Sequence, residues 1–367
     1  MISKVPLRVS AVFTKNKIKA APVVISKKNS KNIIKALIVN SGNANACNGK
    51  YGFEDAKRVA LSVAKKTGAD ESNIFICSTG LIGERLDASK IERAVNELAE
   101  YASGEESGFN DFAEAIMTTD TFSKTSFKDV LLNGAKYKIF GTAKGSGMIM
   151  PNMATMLAFI FTDIPIEKEI ADEMFKECIG ESFNSITVDG ETSTNDTAAF
   201  FYPAENPLIK KRGANYNAAK AALSDLCLDL AKMIVKDGEG ATKFVRVTVK
   251  NAYTESGAKK IALTVANSPL FKTMITGEDL NWGRIMAAVG RASVPLKSDK
   301  IDIYINDKII VENSAASKKL TKAIEETVLS PDEIELTIDL KCGKKSRSVL
   351  TCNFTREYID INASYRS

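Results

Sequence analysis

The chain is 367 residues long, 44% apolar and 26% charged, with a net charge of +5. That length supports a substantial core, in one large domain or two intimately joined ones, and no apolar run approaches the roughly 18–20 residues of a membrane span. There is no histidine, which removes Ser-His-Asp and Cys-His catalysis, His-Glu-x-x-His metalloproteases and most zinc sites together.

Any nucleophile must therefore be activated by a carboxylate, a lysine or a terminal amine. The charge is unevenly spread: the first acidic residue is Glu54, while Lys and Arg recur before it. A basic, acid-poor start fits either a targeting peptide or the first strands of a folded domain, and apolar strand patterns that begin by Val9 favour the second. No secretory h-region is present. The lysines are scattered and lack the interleaved aromatics of a nucleic-acid surface. Six cysteines, at 47, 77, 178, 227, 342 and 352, form no Cys-x-x-Cys pair. They read as reduced, mostly buried thiols of a cytosolic protein.

In chain order, strands are predicted at 9–13, 33–39 and 73–77. Between the last two, residues 53–66 carry Ala56, Val59, Ala60, Val63 and Ala64 at helical spacing. A helix over 88–101 puts Ile91, Val95 and Leu98 on one side, and a third covers 109–117. Strands follow at 127–132, 136–142 and 156–162. Helices are predicted at 167–181 and 216–236, the latter stopped by Asp237-Gly238. Then come a strand at 243–249 and a helix at 254–266. The tail alternates strands at 301–306, 333–340 and 347–353 with a helix at 315–327. The class is α/β or α+β with mixed sheets.

No Walker A motif occurs, and Gly145-Ser146-Gly147 lacks the third glycine of a dinucleotide fingerprint. Four polar stretches stand out. Asn40 to Gly49 follows a strand and reads on its own as an Asn/Gly-rich turn. Ser78-Thr79-Gly80 to Gly83 also follows a strand; such an opening turn is a plain loop or exposes N–H groups and hydroxyls that bind an oxyanion. Lys144 to Thr155 runs into the strand that begins at Met156. Threonine is at home in strands, so the position of Thr155 alone does not mark a nucleophile. Ser182 to Thr197 is dense in small hydroxyl and amide groups, which fits a long polar loop or a turn network near a site.

Taken in order, these blocks resemble the ornithine acetyltransferase family, the glutamate N-acetyltransferases of arginine biosynthesis. The resemblance spans nearly the whole chain: Val12-Phe13-Thr14 to Val23, Ser41 to Cys47, Ser78-Thr79-Gly80, Met117-Thr118-Thr119-Asp120-Thr121, Lys144 to Leu157, Asn184 to Thr197, Asp237 to Lys243, Asn281 to Ile285, and Thr355 to Ile359 with Asn362. It implies self-cleavage between Ala154 and Thr155 into chains 1–154 and 155–367. These would stay associated as two copies of each, in an αββα-type layered architecture with the cut near the junction of two lobes. Thr155 would then carry a free α-amine, whose reference pKa of about 7.7–8.0 leaves a useful neutral fraction to act as base. Thr79 and Gly80 match the oxyanion-hole pair. Thr118, Lys144, Thr155, Glu239, Asn362 and Ser367 match substrate-binding positions, with Lys144 expected on a substrate α-carboxylate and Glu239 on the ornithine ammonium. The implied reaction is ping-pong: acetyl passes from N-acetylornithine to Thr155 and then to glutamate. Some members also use acetyl-CoA, and no metal or redox cofactor is implied.

Some positions depart from the family pattern. The N-terminus is about twenty residues shorter than usual. Ser185 replaces an arginine, Glu191 an aspartate and the terminal Ser367 a threonine, while Asp87 and Ser123 stand where prolines are common. Two rival readings remain at this stage. One is an amidase or aminopeptidase on a related self-cleaving scaffold, giving the acyl group to water. The other is a non-catalytic descendant that stays uncut.

Overall fold

The computed structural model describes residues 1–102, 104–150 and 156–364. The chain divides into two compact units, one of residues 1–184 and 191–234, the other of 185–190 and 235–365. In the first unit the elements run β1 (Ile2–Phe13), α1 (Ala21–Asn29), β2 (Ile34–Asn40), α2 (Gly49–Thr67), β3 (Ile74–Ser78), α3 (Ala88–Tyr101), α4 (Glu106–Ala115), β4 (Lys124–Leu132), β5 (Ala135–Lys144), β6 (Leu157–Thr162), α5 (Lys168–Glu181), β7 (Thr197–Pro203) and α6 (Ala214–Lys236), whose last two residues belong to the second unit. The basic N-terminus is therefore the first strand of the domain. It lies mid-sheet, in the order β3-β2-β1-β7-β6-β5-β4.

Both faces of this sheet are covered. The predicted apolar stripe of α2 is buried; Ala56, Ala60, Val63 and Ala64 pack with Ile74 and Ile76 of β3 in one cluster, and Val59 packs with Leu86 and Ala88 in another. On the other side Leu7, Val9, Phe75, Phe159, Phe161 and Phe201 form a second cluster. Rings from neighbouring strands meet at 5.2 Å (Phe161–Phe201) and 5.4 Å (Phe140–Phe161), and Phe75 of β3 meets Phe201 of β7 edge-on at 5.6 Å, so aromatic pairs stiffen the middle of the sheet. Every residue of β6 and all of β7 but Pro203 are buried, the signature of central strands covered on both sides.

The second unit holds β8 (Phe244–Ala252), α7 (Glu255–Ala266), α8 (Pro269–Gly277), α9 (Trp282–Gly290), β9 (Asp302–Ile305), β10 (Lys308–Glu312), β11 (Ala315–Ala316), α10 (Lys322–Thr327), β12 (Glu333–Asp339), β13 (Lys345–Cys352) and α11 (Arg356–Ser364). Its sheet has the order β11-β10-β9-β12-β8-β13, with β8 and β12 parallel. Val245, Val247 and Val249 of β8 pack with Ile261 and Val265 of α7 in its core.

The helix expected over 315–327 is shorter than predicted. Asn313 and Ser314 take left-handed backbone angles, φ 47° and 63°, and fold Ala315–Ala316 back on β10 as a hairpin. The helix starts only after Thr321, whose hydroxyl caps Ile324 N–H. The mixed α/β class is as expected. The expected cut after residue 154 is not a boundary between compact units, because β6 and β7 share a sheet with β1 to β5. Among the described residues no helix is long and apolar enough to cross a membrane.

Candidate active site

Strand register gathers the marked stretches of the first unit at one end of its sheet. Leu157 pairs with Lys144 and with Thr197, Thr197 pairs with Phe13, Asn40 with Ser78, and Lys124 with Ala143. The ends of β1 and β5 and the starts of β4, β6 and β7 thus lie together, and hydrogen bonds from Asn195 to Ser78 O and from Lys144 to Thr79 Oγ1 bring the ends of β2 and β3 to the same place.

At this end β3 opens directly into Thr79-Gly80. The turn lies against the Asn40–Ala44 segment: Thr79 N–H donates to Asn40 O at 3.0 Å, Leu81 N–H to Gly42 O at 3.2 Å, and Ala44 N–H to Leu81 O at 2.8 Å. Gly80 has φ +125°, and a Cβ there would stand 2.3 Å from the Gly42 carbonyl carbon. Only glycine fits so close an approach. No acceptor for the Gly80 N–H stands among the described residues. Asn195 ties the turn down, its Nδ2 donating to Ala44 O at 2.6 Å and Ser78 O at 2.8 Å. The dense polar stretch is thus, in its 191–197 part, a turn network beside the site.

Lys144, at the end of β5, is only 8% exposed. Its Nζ donates to Thr118 Oγ1 at 2.6 Å and to Thr79 Oγ1 at 3.3 Å. Behind it lies Asp120. Asp120 Oδ1 accepts from Lys124 Nζ at 2.7 Å and from Gly145 N–H at 2.6 Å, while Oδ2 accepts from Thr118 N–H at 3.1 Å and lies 3.8 Å from Lys144 Nζ. Burial pushes the Asp120 carboxyl up, but the Lys144 and Lys124 charges, the Lys124 hydrogen bond and the Gly145 amide outweigh it and hold it below the usual carboxylate range.

Asp196, one residue before β7, is the opposite case. It is 2% exposed, and its Oδ2 has no hydrogen-bond partner among the described residues. Burial drives its pKa well above the ordinary carboxylate value, against the pull of Thr14, Ser193, Lys144 and the Met156 amide. The native state therefore holds a proton that the unfolded chain, with a reference Asp pKa of about 3.9, releases. The stability this proton gives is complete below that value and is lost as pH rises towards the native pKa, by about 1.4 kcal/mol per pH unit. Asp196→Asn keeps the shape and cannot ionise. Its stability relative to wild type is expected to improve as pH rises above about 3.9, the unfolded reference value, read from urea midpoints. A pH-independent difference would show Asp196 to be ionised in the native protein.

In the second unit the sequence-predicted Glu239 and Asn362 also meet. Asn362 Nδ2 donates to Glu239 Oε2 at 2.7 Å and to Tyr358 O at 2.9 Å. Glu239 is buried, and the following Gly240 packs so tightly that a Cβ would lie 2.6 Å from Tyr358 N.

The structure thus brings together Thr79, Gly80, Thr118 and Lys144 in one unit, and Glu239 with Asn362 in the other. Ala154, Thr155 and Ser367 lie outside the described residues. Sequence reasoning gave no role to Asp120, Lys124, Asn195 or Asp196. All four fall in or beside the polar blocks it singled out, and that was their only signal.

The sequence model of the ArgJ family matches residues 1–367. The arginine biosynthesis bifunctional protein ArgJ of Geobacter sulfurreducens is 42% identical over all of this chain and 93% of its own length. Its namesake from Caldanaerobacter subterraneus is 42% identical over 98% of this chain and 90% of its own. The chain belongs to the ArgJ family. It is an acetyltransferase of arginine biosynthesis, acting on small molecules. The crystal structure of ArgJ from Bacillus halodurans aligns with a TM-score of 0.54 at 34% identity, covering all of that chain and 57% of this one. The mixed α/β architecture is accordingly that of the ArgJ proteins.

Proposed function

We propose that this ArgJ protein cuts itself between Ala154 and Thr155 and then carries acetyl from N-acetylornithine to glutamate on the Thr155 hydroxyl. The observation that carries this reading is the sheet end itself. The N–H of Gly80, which has no acceptor among the described residues, a hydroxyl at Thr79 and a buried lysine converge where β6 begins, and Thr155 stands two residues before β6 in the chain. In maturation Thr155 Oγ attacks the Ala154 carbonyl, the acyl group moves from N to O, and water hydrolyses the ester, leaving an Ala154 carboxylate and a Thr155 amine. In turnover Oγ attacks the acetyl carbonyl, the ornithine nitrogen takes up a proton and leaves, and the glutamate amine then attacks the acetyl ester. The free Thr155 amine is the base in both halves. Thr79 and Gly80 hold the tetrahedral oxyanion. Lys144 beside Thr118 takes the substrate α-carboxylate, and Glu239, oriented by Asn362, takes the ornithine ammonium. Ser367 supplies a further substrate contact. Acetyl-CoA serves as a second donor, in keeping with the bifunctional name of the relatives, and the chemistry calls for no metal or redox group.

Fragments 1–154 and 155–367 remain joined in this reading, as two copies of each. β5 of the first pairs with β6 of the second from Ile139↔Thr162 to Lys144↔Leu157, and β1 pairs with β7 from Leu7↔Pro203 to Phe13↔Thr197, so separating them means tearing one sheet twice. A share of 57%, the part of this chain covered by the Bacillus structure, is also about that of a chain from 155 to 367. A cytoplasmic location fits a biosynthetic enzyme whose cysteines are all free thiols.

Intact-mass spectrometry under denaturing conditions tests the maturation step. It is expected to show two chains, one ending at Ala154 and one starting at Thr155, which co-elute as one species in native buffer. A single uncut chain in soluble protein would overturn the reading. Incubation with N-acetylornithine should acetylate the 155–367 fragment, and glutamate should remove the acetyl as N-acetylglutamate. Release only as acetate would instead assign the amidase activity.

A further inference from the structure

One carboxylate sets the geometry of the whole Lys144 corner. Asp120 accepts the backbone N–H of Thr118 and of Gly145 and stands 3.8 Å from Lys144 Nζ, so it faces the partner of that lysine, the residue after it and its ammonium at once. A lysine side chain has about 2 kcal/mol of rotamer entropy to lose, and a cation aimed before substrate arrives binds without that cost. Asp120 also pairs with the fully buried Lys124, which raises a competing explanation: that it exists only to neutralise Lys124.

We propose that Asp120 is a positioning residue for acetyl transfer, fixing Lys144 as the receptor for the α-carboxylate that N-acetylornithine and glutamate share. This rests on the reading of Lys144 given above. Among the described residues, the charged and titratable groups around that ammonium include Asp120 from the segment before β4, Lys124 at the start of β4 and Asp196 before β7; Thr118 and Thr79 supply hydroxyls.

The test is the double variant Asp120→Asn/Lys124→Met, in which no buried Lys124 is left to neutralise. If Asp120 positions Lys144, KM for N-acetylornithine and for glutamate is expected to rise about 10- to 100-fold. Acetylation of Thr155 by 4-nitrophenyl acetate, which has no carboxylate, should stay close to wild type. If Asp120 only balances Lys124, both KM values return to wild type and the inference is overturned. Should the double variant be insoluble, Asp120→Glu, which keeps the charge but displaces it by one methylene, takes its place with the same expected split. Lys144→Met separates the two layers of the argument. If it leaves both KM values unchanged, the reading of Lys144 itself fails. If it raises them and the Asp120 variants do not, only the role of Asp120 fails.

Discussion

A Thr155→Ala variant is expected to stay a single 367-residue chain and to transfer no acetyl group. Two functions vanish together. The hydroxyl that attacks the Ala154 carbonyl is gone, so the chain is not cut. The α-amine that would activate that hydroxyl in turnover then stays locked in a peptide bond. Loss of a covalent nucleophile typically lowers kcat on the order of 10⁶-fold, and here no acetyl ester can form at all. The commonest side-chain base, histidine, is absent from the chain. Thr155→Ser restores a hydroxyl at the same place and is expected to cut and to turn over, more slowly. If the amine is the base, kcat/KM of the mature enzyme rises with pH to a plateau above about 7.7–8.0, the reference range of an α-amine. Acetyl transfer surviving in Thr155→Ala, followed by N-acetylglutamate formation, would remove Thr155 from the mechanism.

Much of the scaffold under this chemistry was legible in the amino-acid pattern, because burial writes a period into the chain. Residues 88–101 read as a helix and are one, and Ala56 to Ala64 line the face of α2 that is buried. Elements whose signal is not periodic were missed. β7 is a continuous apolar run, Ala198-Ala199-Phe200-Phe201-Tyr202, directly behind a polar turn network, and the turn dominated the reading. α1 hides behind Pro22, which serves as a first-turn residue and does not break the helix. The site shows the same divide. Thr79, Gly80, Thr118, Lys144, Glu239 and Asn362 carry recognisable blocks. Asp120 and Asp196 have the same side chain, and nothing local says that two lysines and an amide hold one below the usual carboxylate range while burial drives the other well above it. That difference arises only when β4, β5 and β7 bring residues 24 to 76 positions apart into one buried volume.

A Thr79→Ala variant is expected to lose about 10²- to 10³-fold in kcat, the usual effect of removing one oxyanion donor, with KM little changed. The geometry separates these two parameters. Thr79 Oγ1 accepts from Lys144 Nζ at 3.3 Å, so its own proton points elsewhere and is open to a developing negative charge. Removing the hydroxyl leaves Lys144 its shorter bond to Thr118 at 2.6 Å, which preserves carboxylate binding. The backbone is also undisturbed, since Thr79 N–H still reaches Asn40 O. Maturation passes through the same kind of oxyanion at Ala154, so freshly made Thr79→Ala protein should contain uncut chain that disappears with time. Gly80→Ala is the contrasting case. It keeps the N–H but drives a Cβ to 2.5 Å from Asn43 N and 2.3 Å from the Gly42 carbonyl carbon. The turn must move, displacing both donors, so kcat should fall further and stability with it. An unchanged kcat in Thr79→Ala would take its hydroxyl out of the site. Equal losses in kcat and in melting temperature for both variants would mean that the turn is needed only for folding.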